Sequence, residues 1–287
     1  MAHIAFLGTG LLGAAFAEAA AQRGDAVSVW NRTPRKAQAL AAFGALVATS
    51  PAEAVRGAAR VHLVLKDDAV VEEVIAAACP GLGDDVILID HSTTQPAATA
   101  KRAARYAAEG LSYLHCPVFM TPMAARNAKG SMLAAGPQGL FESVREELAH
   151  MTGRLEYCGE RPDLAATLKL AGNAVILSLA GAMADVLAIA RGACVDGEAT
   201  IRLLTLLDLN AMVTGRGMAM ARGDFAPSFE LAMARKDLRL MQETAGELPL
   251  AVLPGLAARM EQLVAAGHGN EDITTLAIAA VAAHKQA

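Results

Sequence analysis

The chain has 287 residues, of which 54% are hydrophobic but only 4% aromatic, and a net charge of −4. This length and apolar content suit one large or two moderate domains with a sizeable core, in which abundant alanine supports close helix packing. The acidic balance excludes a general basic surface for nucleic acid, and Cys79, Cys116, Cys158 and Cys194 form no C-x-x-C pair or zinc spacing, so neither a metal site nor a disulfide framework is expected.

The predicted elements begin with a strand over residues 4–7. "HIAFLGTGLLGAAFA" then places Gly8-x-Gly10-x-x-Gly13 between that strand and a helix over 11–22. In this setting the first glycine permits a tight turn. The second lets backbone approach a pyrophosphate, and the third allows close helix–strand packing. The free N–H groups of the helix N-terminus face the anion. Gly8, Gly10, Leu11, Leu12 and Gly13 are therefore read as a dinucleotide-binding loop. The apolar N-terminus is not read as a signal peptide: it lacks a basic leading region, and Glu18 interrupts the apolar run.

A second strand over 27–30 ends in Asn31-Arg32-Thr33, where NAD binders usually carry an acid for the ribose hydroxyls. No carboxylate stands there. Arg32 can stack on adenine or grip a phosphate, and Arg35 and Lys36 add charge, so NADP(H) is the expected cofactor. Helices over 34–43 and 51–56 lead to a strand over 61–65, and a helix over 70–78 leads to a strand over 86–89. Asp90-His91-Ser92-Thr93 follows, at a strand's carboxyl end where doubly wound sheets place ligands. Ser92 and Thr93 can offer hydroxyls to nicotinamide or substrate. His91 and His115 are read as hydrogen-bonded structural residues. A helix over 96–108 and a strand over 111–114 continue the rhythm, and strands over 131–135 and 155–157 extend the sheet around a helix over 138–150.

This alternation predicts an α/β fold, a Rossmann-type doubly wound parallel sheet over 1–162. From residue 163 to 287 strand signals vanish and an all-α domain is expected, begun by a long helix over 163–191. Its apolar run invites comparison with a membrane span, but Lys169, Asn173 and Asp185 within it point to a buried helix of a soluble protein. The Met-bearing stretches 211–221 and 230–244 read as packed core helices.

Taken together, the glycine loop, "DHSTTQP" (D-x-S-T-x-x-P), Lys169-x-x-x-Asn173, "LAMARKDLRLM" and "GHGNEDITTL" resemble, in order and across almost the whole chain, the β-hydroxyacid dehydrogenase family within the 6-phosphogluconate dehydrogenase-type superfamily. The resemblance implies a Rossmann domain followed by a helical domain that serves substrate binding and dimerisation. It implies Lys169 as general acid and base with Asn173 beside it, and Leu65, Lys66, Thr93 and Lys236 along the cofactor. The implied reaction moves hydride to or from a small aldehyde, keto or 3-hydroxy-acid-type substrate. Homodimers or homotetramers are common in that family, and a reducing cytoplasm fits the four cysteines, which are read as reduced, buried thiols.

One stretch departs from the family. Where it usually reads P-V-S-G-G, with the serine and glycines holding a substrate carboxylate, this chain reads Pro117-Val118-Phe119-Met120-Thr121. Phe119, Met120 and Thr121 stand at the expected substrate position but are bulkier and more apolar. Arg126 or Lys129 could return a charge there. The departure favours a second reading, an imine reductase with an apolar pocket, which Lys169 disfavours; a third, a non-catalytic NADPH-binding sensor, is opposed by the intact Lys169, Asn173 and Lys236.

Overall fold

The computed structural model describes residues 3–282. The chain divides into two compact units, the first ending at Asn173 and the second beginning at Ala174. This division falls inside a helix, later than the end of the sheet at which sequence pattern alone draws it.

The first unit carries β1 (His3–Leu7), β2 (Ala26–Trp30), β3 (Leu46–Val47), β4 (Arg60–Leu63), β5 (Ile87–Asp90), β6 (Ser112–His115), β7 (Val118–Phe119), β8 (Ser131–Ala135) and β9 (Arg154–Gly159). They form one sheet in the order β3-β2-β1-β4-β5-β6-β8-β7, with β9 on β8. The six strands β1–β6 pair in parallel; β8 runs antiparallel to β6 and β7. Helices connect them: α1 (Leu11–Gln22), α2 (Pro34–Gln38), α3 (Pro51–Val55), α4 (Asp68–Ala78), α5 (Pro96–Ala108), α6 (Pro122–Arg126) and α7 (Gln138–Ala149). The expected α/β fold with an N-terminal doubly wound sheet and a helical second region is thus observed.

Both faces of the sheet are covered, so its strands are apolar on both sides. Ile4 and Phe6 belong to one core, with Phe16, Val29, Ile89, Leu114 and Phe141. Their neighbours Ala5 and Leu7 belong to the other, with Val61, Leu63, Ile75 and Leu88, as the two-residue period of a strand requires. Fully burying one such large side chain stabilises the fold by about 1.5–3 kcal/mol. The order of connection reverses between β1 and β4, and the loops leaving their carboxyl ends define a crevice there.

Helix α8 (Asp163–Gly192) starts in the first unit, where Ala165 and Ala166 are buried, and continues into the second. There it is followed by α9 (Gly197–Leu204), α10 (Leu209–Met212), α11 (Met218–Arg222), α12 (Leu231–Ala245), α13 (Leu253–Leu263) and α14 (Ile278–Ala282). The second unit has a small core of Leu231, Ala234, Leu238, Ala257, Met260 and Leu263.

Three sequence expectations need correction. Helix α8 is not buried within this chain: Val175, Ile176 and Leu177 stand 62%, 54% and 71% exposed. Its Asp185 is no sign of general burial but a specific clamp, accepting the backbone N–H groups of Ala251, Val252 and Leu253 at the head of α13. Of the Met-bearing stretches only the second, α12, is core, through Leu231, Ala234 and Leu238, and in neither do the exposed methionines fill it. The first is broken by a π-helical turn at Val213–Gly217 and leaves Met212 and Met218 open, and α12 turns Met233 and Met241 outward. Finally, only Cys116 of the four unpaired cysteines is buried; Cys79 and Cys194 are exposed.

Candidate active site

The crevice above β1 and β4 is a groove of about 440 Å³, and its floor is backbone. Gly8 has φ +98°, in the region only glycine enters without strain, and a Cβ there would lie 2.4 Å from the Val64 carbonyl oxygen. A Cβ on Gly13 would lie 2.0 Å from the Gly8 carbonyl oxygen, so helix and strand touch only because it is missing. At Gly10 a Cβ would meet nothing within 4 Å and would project into open space. Gly10 is also the N-cap of α1 and offers no side-chain acceptor, which leaves the first N–H groups of the helix without a capping side chain. This cradle, open where a phosphate needs room and closed where helix must meet strand, fits a dinucleotide.

Every other predicted cofactor residue of the first unit lines the same groove: Leu11, Leu12, Asn31, Arg32, Thr33, Leu65, Lys66 and Thr93. Asn31 does two structural jobs. Its Oδ1 accepts from the Thr9 N–H at 3.0 Å and its Nδ2 donates to the Thr33 carbonyl at 3.0 Å, tying the phosphate loop to the turn after β2. Arg32 is exposed at the groove's edge, with Lys36 also in the lining. Sequence reasoning missed the walls formed by Trp30, Val64, Val70 and Val74, because an apolar residue in a strand or helix carries no local sign of facing a ligand rather than the core.

Ser92 and Thr93 also line the groove, but differ in freedom. Thr93 is exposed. Ser92 is buried: its Oγ accepts from the Leu65 N–H at 3.0 Å, and its N–H donates to Asp90 Oδ1 at 2.9 Å. Asp90 is the anchor that sequence reading passed over. Fully buried, it also accepts from the Tyr113 hydroxyl at 2.9 Å and lies 3.6 Å from the Arg102 guanidinium, whose side chain is itself completely buried and paired with Asp68 and Glu72. The signal was present in the Asp-x-Ser spacing, where a carboxylate can take the serine's own N–H.

From His91, which also lines the groove, the histidines form a chain inward whose protons follow from chemistry. The Cys116 carbonyl can only accept, so His91 Nδ1, 2.7 Å away, carries the proton. His91 Nε2 is then the acceptor for His62 Nδ1 at 2.9 Å. Burial holds both rings neutral: His62 falls well below its usual range, and His91 is lowered to about 4, with the Cys116 carbonyl opposing. They are structural, as expected of His91. His115 is likewise buried and lowered by burial, and its Nε2 has no partner among the described residues. Burial also pushes the Cys116 thiol up, so it is no nucleophile.

Lys169 lies near the start of α8. Its Nζ donates to Asn173 Oδ1 at 2.9 Å, one helical turn on, and sits 4.2 Å from the centre of the Phe119 ring. Burial lowers its pKa and is the one cause of the shift. Phe119 ends β7, paired to Ser131 of β8. Met120 packs where Gly130, at φ +87°, would clash if it bore a Cβ, 2.7 Å from Met120 Cβ. Of the predicted substrate residues, Phe119 is thus brought to Lys169, whereas the Thr121 hydroxyl is engaged as the N-cap of α6, accepting from Ala124. Arg126 is held by Glu18 at 2.7 Å. Lys236 stands on α12 in the second unit, 2.7 Å from Asp237 Oδ1.

Two family patterns match the chain. The NAD-binding domain of 6-phosphogluconate dehydrogenase covers residues 3–159, and the NAD-binding region of NADP-dependent 3-hydroxyisobutyrate dehydrogenase covers 164–280. The chain belongs to the β-hydroxyacid dehydrogenase family. Within this family it is 28% identical over 279 residues to 3-sulfolactaldehyde reductase of Escherichia coli K12, spanning 95% of this chain and 93% of that one. It is 29% identical over 264 residues to glyoxylate/succinic semialdehyde reductase 1 of Arabidopsis thaliana, spanning 87% and 89%. In fold it matches an imine reductase from Myxococcus stipitatus solved with NADP+, with a TM-score of 0.87 and 21% identity over 96% of this chain and 98% of that one. This member of the β-hydroxyacid dehydrogenase family is accordingly an NAD(P)-binding oxidoreductase.

Proposed function

We propose that the protein is an NADPH-dependent oxidoreductase that moves hydride to a small aldehyde or keto compound, or from a 3-hydroxy-acid-type alcohol in the reverse direction, with Lys169 as its general acid and base. The observation that carries this reading is the Lys169 ammonium, half-buried and hydrogen-bonded to Asn173 on a helix that the family pattern places after the cofactor domain. When bound, the nicotinamide supplies the hydride chemistry. The protein's part is to hold a proton at Nζ. In reduction the ammonium stabilises negative charge developing on the carbonyl oxygen and then protonates it. In oxidation the neutral amine accepts the alcohol proton, and burial makes that neutral form easier to reach. Asn173 Oδ1 orients the ammonium, and Ser92 and Thr93 supply hydroxyls at the groove's end. The relatives that reduce 3-sulfolactaldehyde and glyoxylate or succinic semialdehyde support the substrate class.

NADPH is proposed over NADH because Asn31-Arg32-Thr33 offers no carboxylate to the ribose, while Arg32 and Lys36 offer charge to a phosphate. A cytoplasmic homodimer or homotetramer is proposed, on the unpaired cysteines and on the open apolar residues Val175, Ile176 and Leu177, which a second copy would cover. Asp185, clamped midway along α8 to three backbone N–H groups, supports a soluble helix although α8 is long and apolar enough to cross a membrane.

A second reading, imine reduction, is favoured by the Phe119 ring beside Lys169 and by the likeness in fold. The deciding experiment measures NADPH consumption with semialdehydes, glyoxylate, apolar aldehydes and cyclic imines. Turnover of carbonyl compounds supports the reductase and turnover of imines alone supports the second reading. Silence with all of them, alongside tight NADPH binding, would leave a cofactor-binding sensor.

A further inference from the structure

The wall around Lys169 has a feature that general acid–base chemistry does not require. The Phe119 ring presents its face to Nζ at 4.2 Å from the centroid, well inside the reach of a cation–π attraction. The same ring fills the space beside Gly172, where an added Cβ would lie 2.3 Å from Cζ and 2.7 Å from Cε1. Phe119 and Gly172 are therefore a matched pair: the ring reaches the lysine because position 172 has no side chain. Two partners then fix the ammonium, Asn173 Oδ1 at 2.9 Å and the ring face.

We infer that Phe119 is the positioning residue of the site: its ring holds Lys169 charged and in place against desolvation, and presents an apolar flank that selects carbonyl compounds with no carboxylate next to the reacting carbon.

The two parts have one physical source. A half-buried ammonium tends to lose its proton, and burial acts on Lys169 in this direction. A quadrupole face is attracted to the cation without neutralising it, so the proton stays on Nζ for delivery. An aspartate or glutamate at position 119 would also keep Lys169 charged, but would pair with it and raise the cost of giving the proton up. Selectivity follows because a carboxylate bonded to the carbonyl carbon would meet an aromatic face on this wall, and Lys169 as its cation. Pairing there would draw the ammonium from the carbonyl oxygen.

This inference rests on Lys169 as the acid–base group, and its test is chosen to read Lys169 directly. The full chain is labelled with [13Cε]lysine, the Lys169 signal is assigned by its loss in Lys169→Met, and its titration is followed by NMR with no cofactor. Phe119→Leu keeps the bulk and the apolarity while deleting the π face. It is expected to lower the Lys169 pKa by about 0.5–1.5 pH units. Phe119→Tyr, which keeps the face, restores the wild-type value. Gly172→Ala, which pushes the ring away, lowers it as Phe119→Leu does. With NADPH present, wild type is expected to favour butanal over glyoxylate in kcat/KM by at least about tenfold, and Phe119→Ser to shrink that ratio. An unchanged Lys169 titration in a folded Phe119→Leu protein, or equal lowering in Phe119→Tyr, overturns the positioning role; a wild-type preference for glyoxylate overturns the selectivity. Full turnover in Lys169→Ala would instead strike at the acid–base reading and leave the titration result standing.

Discussion

The dinucleotide groove and the Lys169 wall both depend on a missing side chain, for opposite reasons. At Gly13 an added Cβ runs into the Gly8 carbonyl, backbone that has nowhere to go; at Gly172 it runs into the Phe119 ring, a side chain that can rotate. The floor of the groove is therefore built from main chain, and its demands hold for any sequence that makes this turn. The wall is built from side chains, and Gly172 is needed only because Phe119 is its neighbour. A site for a common cofactor can be written in backbone, whereas the choice of what reacts must be written in side chains.

The largest expected effect tests whether the two regions separate. Lys169→Ala should lower kcat by about 10²–10⁴, the range of a lost general acid, while the NADPH dissociation constant stays at the wild-type value. A parallel collapse of cofactor affinity, read by fluorescence titration, would show that wall and groove are one unit. Acid should act on the groove instead. The folded-state pKa of His91 is lowered to about 4 from 6.5, so the unfolded chain takes up the proton first. Its share of stability is complete above about pH 6.5 and is lost as the pH falls towards about 4, by roughly 3 kcal/mol in all. Thermal melts across that window check this, and His91→Gln should flatten the profile there.

The glycines sharpen the contrast further. Gly13→Ala should cost about 1–3 kcal/mol of stability and abolish tight cofactor binding. Gly172→Ala should cost less and leave cofactor affinity intact, since its obstacle can turn aside; equal losses in both variants would erase the distinction between backbone and side-chain control. The smallest effect concerns the edge of the groove. Arg32→Ala should weaken NADPH by about tenfold, or 1.4 kcal/mol, more than it weakens NADH. Equal weakening of both would remove Arg32 from phosphate recognition.

Much of the groove was legible because its parts are contiguous. Gly8, Gly10 and Gly13 lie in one turn, and Asn31, Arg32 and Thr33 follow one strand, so short-range pattern places them. The two short strands β3 and β7 were not legible, since two residues show no period. Nor was the role of Asp90, which depends on Tyr113 from the neighbouring strand and on the buried Arg102 of α5. Helix α8 misled in a different way. Its apolar run reads as burial, but hydropathy records only a preference for cover and cannot say whether this chain or another surface provides it. Asp185 was noticed as an anomaly, yet the three N–H groups it accepts come from residues 251–253, far along the chain.

By itself, then, the sequence determined the alternation of strand and helix, the phosphate loop and the presence of a lysine and an asparagine one helical turn apart, all of which follow from spacing along a few residues. Tertiary structure alone decided what surrounds that lysine. Phe119 lies some fifty positions before Lys169 and Gly172 in the chain but meets both within a side chain's length, because β7 delivers the ring to the start of α8. No local period encodes such a meeting; it exists only once the sheet has formed and Gly172 has left the ring its place.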